Sequence, residues 1–368
     1  MRGSKEKIGE SIVEISNYPT RIETIAGVPV VDLATQFGGT PLFAYDATTI
    51  ARRLGQLSGF DVVRFAQKAC PNLAILKFLR ERGALVDAVS AGEVMRALAV
   101  GYKPSEIAYT ADVFDADALD IVTGAARGCV VNVGSPDMID QLAARLGDDA
   151  SGMELTIRIN PGFGHGHSQK VNTGGELSKH GVWYEQLGEC VEKAARYGMT
   201  ISGVHMHIGS GSDFEHLASV FGALERFALE IGPTVRTISC GGGVPVPYHT
   251  GEEFIDLDRY AALGRAAVAN LERGFGHPVT LEIEPGRYPV ADSCSLIARI
   301  CSVKRQKDNL FYLVDAGFAH LIRPSFYGSY HPIAIARDPA NGTGSEEEVD
   351  VVVAGPMCES GDVFTQQE

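Results

Sequence analysis

Short apolar runs alternate with amphipathic segments through the middle of the chain. The runs are rich in β-branched residues and have the length of strands, whereas the segments between them carry apolar residues at helical spacing. This alternation predicts βαβ units and a parallel sheet. The predicted strands are Val62–Lys68, Leu85–Ser90, Ile107–Ala111, Val130–Gly134, Leu155–Asn160, Ser202–Gly209, Thr237–Gly243 and Thr280–Gly286. The clearest helices between them are Ala91–Val100, Asp137–Leu146, Tyr184–Tyr197 and Phe214–Ile231.

Eight such strands match the count and span of an α/β protein built as a (β/α)8 TIM barrel. A doubly wound open sheet is the alternative, and it usually has fewer strands. The predicted barrel covers residues 47–292.

After Arg287 the alternation stops, and strands follow one another without long helices. The segments 22–46 and 293–368 therefore predict a β-rich second domain built from both chain ends. Its predicted strands are Pro41–Asp46, which precedes a helix at Thr48–Leu57, and Ser295–Val303, Leu310–Asp315 and Val349–Ala354. Because so few strands leave open edges, either this domain is small or it is incomplete at the C-terminus, and we expect the latter.

Composition narrows the range of partners. The 368 residues are 45% hydrophobic and carry a formal charge of −14, which disfavours nucleic acid as the main partner. Seven cysteines without a C-x-x-C pair are typical of a reducing compartment. No signal peptide and no membrane-spanning apolar run is visible, so the sequence predicts a cytoplasmic protein.

Reactive residues concentrate where the predicted strands end, which is where barrel enzymes place their active sites. Lys68 is either a snorkelling lysine or a partly desolvated amine able to form a Schiff base. Gly241–Gly243 makes either a tight turn or a phosphate cradle. His205 and His207 share a face of one strand. They are either a metal pair or a core histidine beside one that stacks on a ring.

Glu284 and Arg287 flank a Pro-Gly turn at the end of the eighth predicted strand. They form either a local ion pair or a carboxylate beside a nitrogen base, with the arginine facing an anion. A lysine, phosphate-binding glycines, a flat histidine and a carboxylate together indicate a pyridoxal 5'-phosphate site.

Six motifs carry a family resemblance from about Pro41 to the C-terminus. In order, they are FAQKA, HMHIGSG, GGGVPVPY, EPGR, LIRPSFYGSYHPI and CESGDVF. The chain thereby resembles the fold-type III pyridoxal phosphate decarboxylases, and within them the diaminopimelate decarboxylases. The resemblance implies a TIM barrel with a second domain like the C-terminal domain of alanine racemase.

The resemblance also implies roles for individual residues. Lys68 would bind the cofactor covalently, His207 would stack on its ring, and Glu284 would pair with its ring nitrogen. The remaining cofactor-binding residues would be Asp87, Ser210, Gly242, Gly243, Gly286 and Arg287. Arg287, Arg323 and Tyr327 would bind the distal carboxylate of the substrate. Cys358, as proton donor, and Glu359, as counter-ion of the distal ammonium, would come from the partner subunit of a homodimer.

The implied reaction is decarboxylation of meso-2,6-diaminopimelate to L-lysine, the last step of lysine biosynthesis. A decarboxylase of the same fold that acts on D-ornithine, D-lysine or a carboxylated polyamine is the nearest alternative. A non-catalytic pyridoxal phosphate carrier and a metal-dependent barrel hydrolase are more distant ones. Chains of the family continue past Glu368 and include a tyrosine that touches cofactor and substrate. We therefore expect weak or no turnover from these 368 residues alone.

Overall fold

The computed structural model describes residues 7–8, 11–12, 14–163, 174–207, 213–337 and 349–365. The chain divides into two compact units. The barrel unit comprises Ala51–Pro245 and Ile255–Val290. The terminal unit comprises Met1–Ile50, Val246–Phe254 and Ala291–Glu368.

Eight parallel strands of the barrel unit form a closed barrel. Each strand pairs with the next along the chain, and the eighth pairs with the first. The strands are β1 Val62–Ala66, β2 Leu85–Ala88, β3 Ile107–Thr110, β4 Val130–Val133, β5 Glu154–Asn160, β6 Thr200–His205, β7 Thr237–Ser239 and β8 Thr280–Ile283. The predicted (β/α)8 barrel is therefore confirmed.

A helix follows each of these strands. The helices are α1 Leu73–Arg80, α2 Ala91–Ala99, α3 Ala116–Thr123, α4 Pro136–Leu146, α5 Leu187–Arg196, α6 Phe214–Ile231, α7 Leu257–Phe275 and α8 Arg287–Val290. Six of them begin after a side chain that accepts a backbone N–H of the first turn, which explains their sharp starts. These capping residues are Asn72, Ser90, Asp115, Ser135, Asp213 and Asp256.

Shorter elements complete the barrel unit. The two-residue strand Val182–Trp183 pairs with the end of β5. Single helical turns lie at Gln67–Ala69, Pro104–Glu106, Gly147–Ala150 and Tyr184–Gln186. The helix Ala47–Gly55 precedes β1.

The interior of the barrel combines an apolar core with buried charged side chains. Arg64 of β1 and Glu282 of β8 meet through two hydrogen bonds of 2.8 and 3.0 Å, and both residues are buried. Such a bidentate pair satisfies both charges away from water. This ion pair links β1 to β8, and Glu282 lies two residues before Glu284.

The terminal unit is β-rich. Its largest sheet orders the strands Ile300–Gln306, Asn309–Val314 and Val352–Ala354. Pairs of strands are Leu42–Tyr45 with Cys294–Ile297, Arg21–Ile22 with Ile335–Ala336, Thr24–Ile25 with Val28–Pro29, and Lys7–Ile8 with Ser11–Ile12. Its helices are Val30–Gln36 and Arg323–Tyr327.

Some local predictions need correction. The strand predicted at Ser295–Val303 is two strands, Cys294–Ile297 and Ile300–Gln306, which pair with different partners. Lys68 does not end β1 but lies in the helical turn Gln67–Ala69 that follows it. No described helix is both long and apolar enough to cross a lipid bilayer.

Candidate active site

Strands β1, β8, β7 and β6 are neighbours in the barrel, so their carboxyl ends meet at one rim. Their backbones stay hydrogen-bonded beyond the last paired residues. The N–H of Ala66 donates to the carbonyl of Pro285 at 3.2 Å, and the N–H of Glu284 donates to that of Gly241 at 2.7 Å. The predicted lysine, histidine, glycines and glutamate are therefore held on adjacent strand ends.

Lys68 stands at the edge of this rim. Its side chain is exposed, so the partly desolvated lysine considered from the sequence is not what the structure shows. Burial raises the pKa of Asp87 and of Glu93, and the positive charge of Lys68 opposes that shift in both carboxyls. The amine is therefore accessible to a ligand. Its positive charge acts to lower the pKa of both carboxyl groups.

Glu284 is buried at the centre of the rim, where both of its carboxylate oxygens are hydrogen-bonded. Oε2 lies 2.8 Å from Nε2 of His205, and Oε1 accepts the hydroxyl of Ser239 at 2.7 Å. Burial by itself raises the pKa of Glu284, but these two contacts and the charge of Arg64 lower it further than burial raises it. Glu284 is therefore a buried carboxylate that stays ionised at neutral pH.

His207 follows β6 and presents a neutral ring. Its Nδ1 accepts the N–H of Gly242 at 3.0 Å, which leaves the ring proton on Nε2. Partial burial, together with the charges of Arg158 and Lys68, lowers the pKa of His207 to about 3. A neutral, partly buried imidazole has the properties required of a ring that stacks on an aromatic ligand.

The three glycines after β7 fit tightly between β6 and β8. A Cβ at Gly241 would come within 2.6 Å of the Met206 carbonyl, and one at Gly242 within 2.4 Å of the Glu284 carbonyl. Gly241 and Gly243 also have positive φ angles of 67° and 84°. Close backbone approach and a tight turn both require glycine here, which supports the tight-turn interpretation, and the phosphate cradle stays a prediction.

Asp87 lies in β2 opposite Ala66 of β1 and is almost fully buried. Burial and the neighbouring charge of Glu284 raise its pKa to about 6, although Lys68 and a hydrogen bond with Thr110 act in the opposite direction. Its Oδ1 has no partner among the described residues. An unpartnered buried acceptor is costly and calls for a ligand or a water.

These residues fit pyridoxal 5'-phosphate. The cofactor requires a primary amine, a carboxylate that remains ionised beside the ring nitrogen, and a flat neutral face for its ring. Lys68, Glu284 and His207 supply these three groups at adjacent strand ends. The buried, unpartnered Oδ1 of Asp87 indicates that the rim is built to receive a polar group.

The remaining cofactor residues predicted on the barrel are placed as follows. Gly286 packs its Cα against the ends of β1, since a Cβ there would lie 3.2 Å from the Ala66 carbonyl. Arg287 is exposed and opens α8. Ser210 lies outside the described residues.

The substrate residues predicted beyond the barrel lie in the terminal unit. Nη1 of Arg323 donates to the hydroxyl of Tyr248 at 2.8 Å and to Nε2 of His331 at 3.0 Å. Tyr327 is half exposed. Cys358 and Glu359 are both exposed, in the turn that precedes the buried Asp362.

The metal-pair interpretation of His205 and His207 finds no support in the geometry. Nε2 of His205 is engaged by Glu284, and Nδ1 of His207 by the backbone of Gly242. The described part of the chain contains no cluster of three or more His, Cys, Asp or Glu residues placed to hold a metal ion.

Sequence reasoning missed a second charged group in the barrel. Arg158 of β5 is buried, and its Nη1 lies 3.8 Å from Oδ2 of Asp112. Asp112 is also bound to Nδ1 of His180 and to the N–H of Gly181, the latter at 3.0 Å. The sequence did contain a signal for this group, because Arg158 is the one charged residue of the apolar run Leu155–Asn160. A buried arginine is rarely unpaired, so an acidic partner could have been expected.

Comparison with known proteins agrees with this geometry. The family profile described as "Pyridoxal-dependent decarboxylase, pyridoxal binding domain" matches residues 49–291. Diaminopimelate decarboxylase of Escherichia coli strain K12 is 50% identical over 334 residues, which are 90% of this chain and 78% of that protein. The chain belongs to the diaminopimelate decarboxylase family.

Further relatives in this family support the assignment. The diaminopimelate decarboxylase of Streptomyces coelicolor is 49% identical, over 90% of this chain and 74% of that protein. A crystal structure of a diaminopimelate decarboxylase superposes with a TM-score of 0.85 at 50% identity, covering 92% of this chain and 80% of that one. The Helicobacter pylori enzyme, crystallised with L-lysine, gives 0.81 at 29% identity, covering 91% of this chain and 84% of that one.

Proposed function

We propose that this chain decarboxylates meso-2,6-diaminopimelate to L-lysine, with pyridoxal 5'-phosphate held at Lys68. The observation that carries the proposal is the set formed by an exposed lysine, a neutral histidine and a buried ionised glutamate at neighbouring strand ends. The family to which the chain belongs uses the same cofactor. Its Helicobacter pylori member was crystallised with L-lysine, the product of this reaction.

The cofactor, when bound, supplies an electron sink for the bond that breaks as carbon dioxide leaves. Lys68 anchors it, and the neutral ring of His207 covers one of its faces. Glu284 keeps a proton on the ring nitrogen, because an ionised carboxylate in a buried site strongly favours a positive partner. Asp87, Ser210 and the glycines at 242, 243 and 286 would complete the binding site, and Ser210, Gly243 and the segment at Gly286 would hold the phosphate.

Substrate recognition depends on charge at the end of the substrate that does not react. Arg287, Arg323 and Tyr327 bind the distal carboxylate, since a guanidinium binds a carboxylate with paired, charge-assisted hydrogen bonds. Glu359 binds the distal ammonium, and the Cys358 thiol delivers the proton to the α-carbon. A D-ornithine, D-lysine or carboxylated-polyamine decarboxylase would need a different set of charges at this end.

Three finer proposals accompany this assignment. Cys358 and Glu359 act in the active site of the partner subunit, so the functional form is a homodimer with shared sites. The cofactor-binding domain is formed by residues 47–292, and the β-rich domain by 22–46 and 293–368. The protein works in the cytoplasm, where thiols such as Cys358 stay reduced.

The test is a substrate panel at stoichiometric enzyme, so that slow turnover is also detected. The chain, loaded with pyridoxal phosphate, is incubated with meso-diaminopimelate, D-ornithine, D-lysine and a carboxylated polyamine. We expect L-lysine and carbon dioxide from diaminopimelate alone, and no product from Lys68→Ala. Product from one of the other substrates, without product from diaminopimelate, would overturn the substrate assignment.

A further inference from the structure

His205 is a buried histidine that the proposed function leaves without a role. It ends β6, has 1% of its surface exposed, and contacts Glu284 through Nε2. Its Nδ1 is buried and has no partner among the described residues. Nε2 carries a ring proton, because it faces an ionised carboxylate that can only accept a hydrogen bond.

The barrel register puts Ser239 next to this histidine. In the parallel pairing of β6 with β7, His205 lies opposite Ser239. Ser239 in turn lies opposite Glu282 of β8, so Glu284 is one side-chain layer farther along the same face. Strand pairing therefore brings His205 and Ser239 to the same carboxylate.

The direction of each hydrogen bond follows from the groups involved. The hydroxyl of Ser239 accepts the N–H of Gly241 at 3.2 Å, so its single proton is directed to Glu284 at 2.7 Å. Nε2 of His205 donates to the other oxygen, because an ionised carboxylate only accepts. Each oxygen of Glu284 thus receives one donor and keeps a further lone pair for a third.

We propose that His205 and Ser239 are positioning residues that keep Glu284 ionised and aimed at the ring nitrogen of pyridoxal phosphate. The inference rests on the proposed function, because it assigns the third hydrogen bond of Glu284 to that nitrogen. Without the two donors, the buried carboxylate would compete with the ring nitrogen for its proton. His205 and Ser239 therefore determine which of the two groups holds the proton.

A purely structural role would be to fill space and satisfy a buried acid. That role predicts a loss of stability when either side chain is changed, and no effect on the cofactor ring. The positioning role predicts a change at the ring nitrogen itself. The two are separated by a measurement on the ring nitrogen rather than by activity.

The experiment loads each protein with pyridoxal phosphate carrying an NMR-active isotope at the ring nitrogen, and records the nitrogen chemical shift and the cofactor dissociation constant. His205→Leu and Ser239→Ala each remove one donor, whereas His205→Gln retains an N–H near the position of Nε2. Tyr260→Phe is the matched control, because it removes a buried hydrogen bond to Cys240 in the same unit without touching Glu284.

We expect a protonated ring nitrogen in the unchanged chain, in His205→Gln and in Tyr260→Phe. His205→Leu and Ser239→Ala should shift the resonance toward the unprotonated form and weaken cofactor binding about tenfold or more, as for loss of a hydrogen bond to a charged group. An unchanged resonance in both would overturn the inference. If His205→Leu fails to fold, Ser239→Ala alone decides the matter. If the unchanged chain does not bind the cofactor through Lys68, the proposed function fails instead.

Discussion

The guanidinium of Arg323 donates to the hydroxyl of Tyr248 across 2.8 Å, and its Cζ lies 5.1 Å from the centre of that ring. His331 accepts a second hydrogen bond from the same Nη1. Nη1 is therefore committed to two neighbours, and a carboxylate would be bound by the other donors of the guanidinium. These two hydrogen bonds fix the orientation of the Arg323 guanidinium, which is proposed to bind the distal carboxylate of the substrate.

Tyr248→Phe should accordingly impair substrate binding more than chemistry. We expect KM for diaminopimelate to rise about fivefold, which corresponds to the net value of about 1 kcal/mol for one hydrogen bond, with kcat nearly unchanged. Steady-state kinetics measures both constants. Tyr330→Phe is the control, because this half-exposed tyrosine stacks on His249 and its ring is retained. Equal KM values for Tyr248→Phe and the unchanged chain would contradict the role of Tyr248.

Asp362 anchors the turn that carries Cys358 and Glu359. Its buried carboxylate accepts the N–H groups of Phe318 at 2.6 Å and of Met357 at 2.8 Å. Asp362→Ala should therefore destabilise the chain by about 1–3 kcal/mol, since two partly buried backbone N–H groups lose their acceptor.

Chemical denaturation measures this loss, and the alkylation rate of the Cys358 thiol reports whether the turn has changed. Asp350→Asn, at an exposed position, is the control and should stay within about 0.5 kcal/mol. Stability and alkylation both unchanged in Asp362→Ala would show that the turn does not depend on this carboxylate.

Asp112 balances the buried charge of Arg158, and His180 holds Asp112 in place. Burial raises the pKa of Asp112, but His180, Arg158 and the Gly181 amide outweigh it, so the pKa is lowered in the folded state. A lowered carboxyl pKa contributes stability above its unfolded value of about 4, and the contribution is lost as the pH falls through the folded value.

Asp112→Asn should thus destabilise the chain by about 1–3 kcal/mol at pH 7, and the difference from the unchanged chain should shrink below about pH 4. Urea denaturation across this range measures the difference. A gap that stays constant from pH 7 down to pH 3 would mean that the charge of Asp112 is not what stabilises the fold.

The pKa of Asp87 is shifted in the opposite direction from that of Asp112, so its effect on stability has the opposite pH dependence. Its folded pKa of about 6 lies above the ordinary 3.8, because burial and Glu284 disfavour the charged form. The folded chain therefore holds this proton more tightly than the unfolded chain. The resulting stability is full below about pH 4 and is lost as the pH rises through about 6.

In the cofactor-free protein, Asp87→Asn should gain stability relative to the unchanged chain between pH 4 and pH 7, by up to about 3 kcal/mol. Unfolding free energies at the two pH values measure this gain, with the exposed Asp148→Asn as the control. A relative stability independent of pH would rule out a raised pKa at Asp87.

The barrel was predictable because each strand and helix is encoded locally. Phe214–Ile231 has the predicted bounds, since Asp213 caps its start and Gly232 ends it with a positive φ of 99°. Strand ends were less predictable. The sequence predicted β6 as far as Gly209 and β7 as far as Gly243, but regular pairing stops at His205 and Ser239.

The partners of site residues depend on pairing between distant strands, which a single sequence does not specify. The sequence placed His205 and His207 on one face but left open whether they bind a metal, because the contact of His205 with Glu284 depends on the register of β6, β7 and β8. The Arg158–Asp112–His180 group was missed for the same reason, since Arg158 lies in β5, Asp112 follows β3, and His180 comes 22 residues after Arg158. Lys68, His207 and Glu284 were found because each lies in a distinctive motif at a strand end.

Lys68 is proposed to anchor pyridoxal phosphate, and every other proposed role depends on that bond. The most direct measurement is borohydride reduction of the chain incubated with pyridoxal phosphate, followed by peptide mapping. We expect a pyridoxyl group on Lys68, on the peptide that contains Phe65–Ala69, and none on that peptide in Lys68→Ala. A pyridoxyl group on another lysine, or on none, would contradict this proposal.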